Sequence, residues 1–371
     1  MFNVKSFPKF SKVLNFKHFT RQLLHWYPQN MRDLPWRNTQ NPYIIWLSEI
    51  ILQQTRVVQG LPYFESFLEK YPTVQDLAKA PLDDVLRLWQ GLGYYSRARN
   101  LHHCAIQVSD EFNGQFPDNY KDLLKLKGVG SYTAAAIASF AYREKVAVVD
   151  GNVFRVLARY FGVSEDISSP KGKKEFERLA NELIPADQPD EFNQAIMEFG
   201  ALQCTPKNPD CSSCPLQENC LAFQNDLIGE LPVKKGKVKV RTRNFVYYAI
   251  SCGENLMMKK RGGQDIWEGL HDFPLEEIEE LDDFELASSK YYRELEAISA
   301  SVLYEPEIKY RHILSHQRIF STFVEIKVQK DSLSQLVELG QKHGWRLLSA
   351  KEVEELGKPK LIVNYLNDQN I

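Results

Sequence analysis

Four of the six cysteines in this 371-residue chain fall in one short stretch, Cys204, Cys211, Cys214 and Cys220, spaced C-x6-C-x2-C-x5-C. Thiolates gathered at such spacing bind soft metals. A disulfide framework is the weaker reading, because the chain is long enough to bury ordinary cores and shows no secretory leader. Structural zinc sites usually present two close C-x2-C-like pairs, and only one pair is close here. Spacing alone leaves zinc and a four-iron cluster both open.

Two carboxylates stand where chemistry could use them. In Trp46-Leu-Ser-Glu-Ile-Ile-Leu-Gln-Gln-Thr55, a helix would place Ile45, Trp46 and Leu52 one turn from Glu49 on its own face. That setting destabilises the anion and suits a general acid; alone, Glu49 would read as a partly buried acid satisfied by Arg or Lys. In Val146-Ala-Val-Val-Asp-Gly-Asn-Val153, Asp150 and Asn152 begin a helix predicted through 153–161. Asp150 reads first as its N-cap, and a carboxylate fixed there is also placed to sit beneath a cationic sugar. Between them, Gly128-Val-Gly130 precedes the small-residue run at 134–138. A glycine turn of this kind lets amides at a helix start hold a phosphate oxygen, and the segment resembles a helix-hairpin-helix DNA-binding element. Such contacts set position on a duplex without reading sequence.

These residues need a scaffold of more than one domain. Composition is that of a globular protein, 43% apolar and 25% charged, with no run of about twenty apolar residues to span a membrane. The formal charge of −2 hides asymmetry. Residues 1–60 carry eight Lys/Arg against two Asp/Glu, 232–243 carry six basic residues and no acid, and 275–285 hold seven acids and no base. Local basic faces admit a polyanionic partner, although any one charge run is ordinarily a solvated surface. Helical spacing, as at 85–89 and 134–140, runs to about Phe223. Beyond the basic stretch, 245–251 and 320–328 read as strands, and 333–342 and 351–356 as helices. The expected architecture is an all-α region over 1–227, a basic linker at 228–244 and an α+β domain over 245–371.

Taken in order, Leu34-Pro-Trp-Arg37, Ser48-Glu-Ile-Ile-Leu-Gln-Gln-Thr-Arg56, Gly91-Leu-Gly-Tyr-Tyr-Ser-Arg-Ala-Arg-Asn-Leu101, Gly128-Val-Gly130, Val149-Asp-Gly-Asn-Val153 and the four cysteines resemble the MutY-type adenine DNA glycosylases of the helix-hairpin-helix superfamily. The resemblance covers about residues 20–225 and implies a [4Fe–4S] cluster on the four cysteines. It implies as substrate adenine mispaired with 8-oxoguanine, and less so with guanine, in duplex DNA, engaged by a monomer. Glu49 would protonate the leaving adenine and Asp150 would stabilise the oxocarbenium-like sugar, supported by Tyr132 and Asn152. Gln54 and Tyr94 would fill the gap left by the extruded nucleotide, and Thr55, Gly128, Gly130, Trp36 and Arg37 would contact DNA. One carboxyl must be protonated and the other ionised.

Tyr132 stands where endonuclease III-like lyases carry a nucleophilic lysine, so the resemblance implies a monofunctional glycosylase. The family pattern is not matched everywhere. Lys127 replaces a frequent proline and reads as a phosphate contact, and Gln194 stands where some members have glutamate. Trp267-Glu-Gly-Leu-His-Asp-Phe-Pro274 resembles a string of the family's MutT-like (Nudix) domain, while the Nudix hydrolase signature is missing, so no pyrophosphatase activity is expected. Ser315 and His316 match the family's Phe-Ser-His loop, which contacts the oxidised guanine; Leu314 replaces its aromatic. A lyase of the endonuclease III type is disfavoured by Tyr132 and the large second domain, and a non-catalytic iron–sulfur DNA-binding protein by intact Glu49 and Asp150. The expected compartment is the cytoplasm, at the nucleoid, with an organellar address as the minor alternative.

Overall fold

The computed structural model describes residues 12–236, 239–263, 265–298, 300–305 and 310–369, with side chains described from Phe16 onward. Lys5, Lys9 and Lys237, counted among the basic residues above, lie outside the described residues. Twelve helices come first: α1 (Lys12–Asn30), α2 (Pro42–Leu52), α3 (Val57–Lys70), α4 (Val74–Lys79), α5 (Leu82–Leu88), α6 (Ser96–Glu111), α7 (Tyr120–Leu123), α8 (Ser131–Tyr142), α9 (Gly151–Phe161), α10 (Pro170–Leu183), α11 (Pro189–Leu202) and α12 (Leu221–Gln224). The strands follow as β1 (Arg241–Cys252), β2 (Asn255–Lys260), β3 (His271–Asp272), β4 (Leu275–Ile278), β5 (Ala300–Tyr304), β6 (Tyr310–Ile313), β7 (Gln317–Val328) and β8 (Arg346–Ser349). Among them lie α13 (Tyr292–Glu296), α14 (Leu333–His343), α15 (Ala350–Glu355) and α16 (Lys360–Asp368).

The chain divides into two compact units, residues 1–54 with 104–236, and residues 55–103 with 237–371. Helices α3 to α5, which the sequence reading assigns to the helical region, group with the strand-containing part.

In the first unit, α1, α9, α10 and α11 close a core around Phe19, Leu23, Val156, Tyr160, Phe176 and Phe199. Helix α8 packs on α2. Its buried residues include Ala134, Ala135, Ala136 and Ala138, whose short side chains let the two backbones approach closely. The preceding turn anchors itself through buried Leu126 and Val129 and leaves Lys127, Gly128 and Gly130 exposed. Gly128 adopts φ +75°, a left-handed conformation that a side chain would strain. Gly130 is the N-cap of α8 and offers no side-chain cap.

The second unit is built on a mixed sheet of order β3-β2-β1-β7-β5, with β4 on β1, β6 on β7 and β8 on β2. Strands β1 and β7 run parallel from Arg241 opposite Gln317 to Ser251 opposite Lys327. Both faces of β1 are covered, which is why its sequence is a near-continuous apolar run. Val246, Tyr248 and Ile250 meet Leu336 and Trp345 on one side. On the other, Tyr247 stacks on Phe323 at 5.1 Å, and Phe323 on Tyr365 at 3.8 Å.

Candidate active site

Glu49 lies in the second half of α2 and is 8% exposed. Tyr132, the second residue of α8, is hydrogen-bonded to its carboxylate, and Asp150, the N-cap of α9, is close enough to raise it electrostatically. Three elements thus bring together residues separated by as many as a hundred positions. Burial pushes the Glu49 carboxyl up to about 7, with Asp150 adding to the rise and the Tyr132 hydrogen bond and Arg37 opposing it. A carboxyl in that range is still substantially protonated at neutral pH and can give up its proton. Burial and the two carboxylates hold the Tyr132 phenol well above its ordinary value, so it remains a donor to Glu49.

Asp150 is held differently. Its Oδ1 accepts from the Val153 amide at 2.8 Å and its Oδ2 from the Asn152 side chain at 2.7 Å. Burial raises its carboxyl overall, while those bonds, a backbone bond from Asn152 and the charge of Arg155 oppose the rise and favour the anion. Each carboxyl has a cation favouring its anion, Arg37 for Glu49 and Arg155 for Asp150, but more hydrogen bonds hold the anion of Asp150. The two readings of Asp150, helix cap and electrostatic partner, are both compatible with this geometry, since the cap is what aims the carboxylate.

Asn152 in turn accepts from Arg155 Nη2 at 2.8 Å. The same guanidinium donates to the carbonyls of Gly200 at 2.6 Å and Cys204 at 2.7 Å. A Cβ on Gly200 would come within 2.6 Å of the Asn152 Cβ, so only glycine lets α11 approach the start of α9 this closely. One turn on, Arg159 reaches Cys204 Sγ at 3.4 Å and the Thr205 carbonyl at 2.7 Å. Sequence reasoning missed both arginines. Their signal is visible in hindsight: two cations four residues apart on the buried side of an apolar helix must be satisfied by something specific.

None of the four cysteines is in a disulfide, and three of them pack against the core of the first unit. Burial, with repulsion from Cys204, Cys220 and Cys211, pushes Cys214 up to about 12. Four mutually repelling, partly buried thiols become thiolates together only around cationic metal. Four thiolate donors within seventeen residues are the ligand set that a four-iron cluster takes.

The remaining residues fall into separate places. Trp36 is buried and Arg37 is committed to Glu198, at 3.0 and 2.6 Å, beside a second fork from Arg32 at 2.8 and 2.6 Å. The aromatic is packed and the guanidinium pairs with a buried carboxylate. Gln54 is exposed at φ +56°. Gln194 accepts from the Tyr27 hydroxyl at 2.6 Å. In the second unit, Thr55 accepts from Arg97 at 3.4 Å. The Tyr94 hydroxyl lies 2.8 Å from Ser315 Oγ, which lies 3.3 Å from His316 Nδ1. Leu314, Tyr94 and His316 share the wall of a pocket of about 450 Å³ with Trp267, His312 and Arg99. The turn carrying Ser315 is held by its backbone, Leu314 N–H to the Gln317 carbonyl at 2.8 Å and Arg241 N–H to the His316 carbonyl at 3.0 Å.

Comparison with known proteins agrees with this geometry. Residues 47–186 match the HhH-GPD superfamily of base excision DNA repair proteins, 204–220 the iron–sulfur binding domain of endonuclease III, and 246–368 a NUDIX domain. A solved thermostable thymine-DNA glycosylase superposes with a TM-score of 0.53 at 32% identity, over 57% of this chain and 97% of its own. An endonuclease III trapped covalently on DNA superposes with a TM-score of 0.51 at 24% identity, over 58% and 98%, which speaks to the fold. Fold and site together define a base excision DNA glycosylase with a [4Fe–4S] cluster and a C-terminal Nudix-like domain. The adenine DNA glycosylase of Buchnera aphidicola from Schizaphis graminum is 38% identical over 257 residues, 69% of this chain and 74% of that protein. The human adenine DNA glycosylase is 44% identical over 231 residues, 60% of this chain and 42% of that one. The chain belongs to the adenine DNA glycosylase family.

Proposed function

We propose that this enzyme removes adenine mispaired with 8-oxoguanine, or with guanine, from duplex DNA by hydrolysing the N-glycosidic bond, acting as a monofunctional monomer. The observation that carries the reading is a pair of adjoining carboxyls with different partners: Glu49, raised to about 7 and hydrogen-bonded to Tyr132, and Asp150, also raised by burial but held by several donors that favour its anion. Glu49 protonates the departing adenine. As the bond breaks, positive charge grows on the sugar, and Asp150, kept in place by Val153 and Asn152, lies opposite it and stabilises it. Tyr132 holds the Glu49 carboxyl in register and, having no amine, offers no covalent route to strand cleavage.

The duplex is engaged through the exposed turn at Gly128 and Gly130, with Lys127 as a phosphate contact and Thr55 as a further DNA contact, and Gln54 and Tyr94 are the residues that fill the gap. Ser315 and His316 read the oxidised base. The cluster on Cys204, Cys211, Cys214 and Cys220 supplies structural order to its loop rather than a reaction step. Arg155 and Arg159 tie that loop to α9, and so to Asp150.

Replacing Glu49 with Gln keeps the shape and removes the proton. Excision of adenine opposite 8-oxoguanine, measured in single turnover, is expected to fall at least about 100-fold while duplex binding survives. Excision near the parent rate would mean another group is the acid. Absence of strand breaks until alkali is added is the matching expectation for a monofunctional enzyme.

A further inference from the structure

Tyr94 lies at φ +49° directly after Gly93 at φ +73°, two consecutive residues in left-handed backbone. Glycine adopts this freely, but a tyrosine adopts it only where its surroundings hold it. Its ring is nonetheless 37% exposed, so ordinary burial is not what holds it. The loop is fastened from beneath. Trp89 Nε1 donates to the Gly93 carbonyl at 3.0 Å, and the Gly91 amide donates to the Tyr95 hydroxyl at 3.2 Å.

At the centre of these contacts is Arg97, buried at 8% exposure. Its Nη2 donates to the carbonyls of Leu92 at 3.3 Å and Gly93 at 3.2 Å, and both terminal nitrogens reach Thr55 Oγ1 at 3.4 Å. Its guanidinium carbon lies 5.0 Å from the Trp89 ring centre and 5.7 Å from that of Tyr94. A guanidinium can do this because it is planar and forked, serving several acceptors while stacking on rings; an ammonium on a flexible stem cannot. Burial lowers Arg97 to about 10, so it stays charged at neutral pH. Being buried, it is in no position to neutralise a phosphate, which is the ordinary work of an arginine in a DNA-binding loop.

We infer that Arg97 is the positioning residue for Tyr94, fixing the left-handed loop so that the exposed ring is ready to enter the base stack when adenine is extruded. The inference rests on the reading of Tyr94 as a residue that fills the gap. It places Arg97 in the extrusion step, because its contacts are to the loop that carries Tyr94 and to Trp89 and Thr55.

The test uses the full chain, with Arg97→Met, Arg97→Lys, Tyr94→Ser and the double variant Arg97→Met/Tyr94→Ser, compared in single turnover after normalising for active enzyme. One duplex carries adenine opposite 8-oxoguanine with paired flanks. The other carries the same adenine with a mismatch on each side, so that it is already loosened from the stack. Arg97→Met is expected to slow excision at least about tenfold on the paired duplex and less than about threefold on the loosened one. Arg97→Lys falls between Arg97→Met and the parent, and carries the comparison should Arg97→Met fail to fold. Adding Arg97→Met to Tyr94→Ser should cost nothing further, the signature of two groups acting as one. Equal losses on both duplexes, or multiplying losses in the double variant, would overturn the inference. If Tyr94→Ser slowed the paired duplex and neither Arg97 variant did, the inference alone would fall; if Tyr94→Ser itself changed nothing, the reading of Tyr94 would fall with it.

Discussion

Burial raises both Glu49 and Asp150, and the two differ in how many hydrogen bonds oppose that rise. Glu49 is raised to about 7 chiefly by burial, so at neutral pH a large share of it carries the proton the reaction needs. The sign of the pH dependence follows. Below about 7 the acid is loaded, and above it the carboxylate accumulates and the chemical step slows, about tenfold per unit well above that value. A single-turnover rate measured from pH 6 to 9 should fall on the alkaline side with a midpoint near 7. The residual rate of Glu49→Gln should show no such limb. A parent profile flat through pH 9 would separate the proton donor from Glu49.

At the scale of elements, the stability of the site depends on pins between helices. Glu198 on α11 accepts two forks, from Arg32 just beyond α1 and from Arg37 at the entry to α2. Burial alone would raise its carboxyl, but the hydrogen bonds from both arginines outweigh that and hold it at about 2. A depressed carboxyl contributes stability that is complete above its unfolded value of 4.5 and is lost as pH falls toward 2. Glu198→Gln breaks a buried pair by removing one partner and is expected to cost about 3 kcal/mol at pH 7. Urea unfolding at pH 7 and pH 3 checks it: the gap between parent and variant should shrink at the lower pH, and a constant gap would mean the ion pairs are not its source.

For the whole molecule, the division of the chain matters to any test of the lesion reader. Helix α5 and the residues after it make their contacts with the C-terminal part: Lys260 pairs with Asp83 at 2.7 Å, Gln90 accepts from the Lys358 amide at 2.9 Å, and Arg99 donates to the Glu268 carbonyl at 2.7 Å. Cutting the chain in the 228–244 linker would therefore strip residues 55–103 of their partners, and lost activity would say little about recognition. A double change of Ser315 and His316 to Ala leaves the backbone of their turn in place. It is expected to reduce the preference for adenine opposite 8-oxoguanine over guanine by at least about tenfold, since groups that bond only the oxidised base are worth roughly 1–3 kcal/mol each. An unchanged ratio at fixed salt would remove the reading role from that loop.

The sequence by itself determined the chemistry that could be present and the rough position of several elements. The cysteine spacing, the Glu-x-x-x-Gln-Gln-Thr string and the Gly-Val-Gly turn are local, and local patterns survive in one dimension. The helix predicted through 153–161 is α9, and the strands read at 245–251 and 320–328 are the parallel pair β1 and β7, because burial on both faces of a strand writes a continuous apolar run. Tertiary structure alone decided which residues share an environment. That Arg37 is spent on Glu198, that Arg155 joins Asn152 to Cys204, and that Tyr94 meets Ser315 across 221 positions are contacts between distant segments, and no spacing rule encodes them. The same is true of the protonation state of Glu49: its identity is in the sequence, but its desolvation and its neighbours Tyr132 and Asp150 exist only once three helices have met.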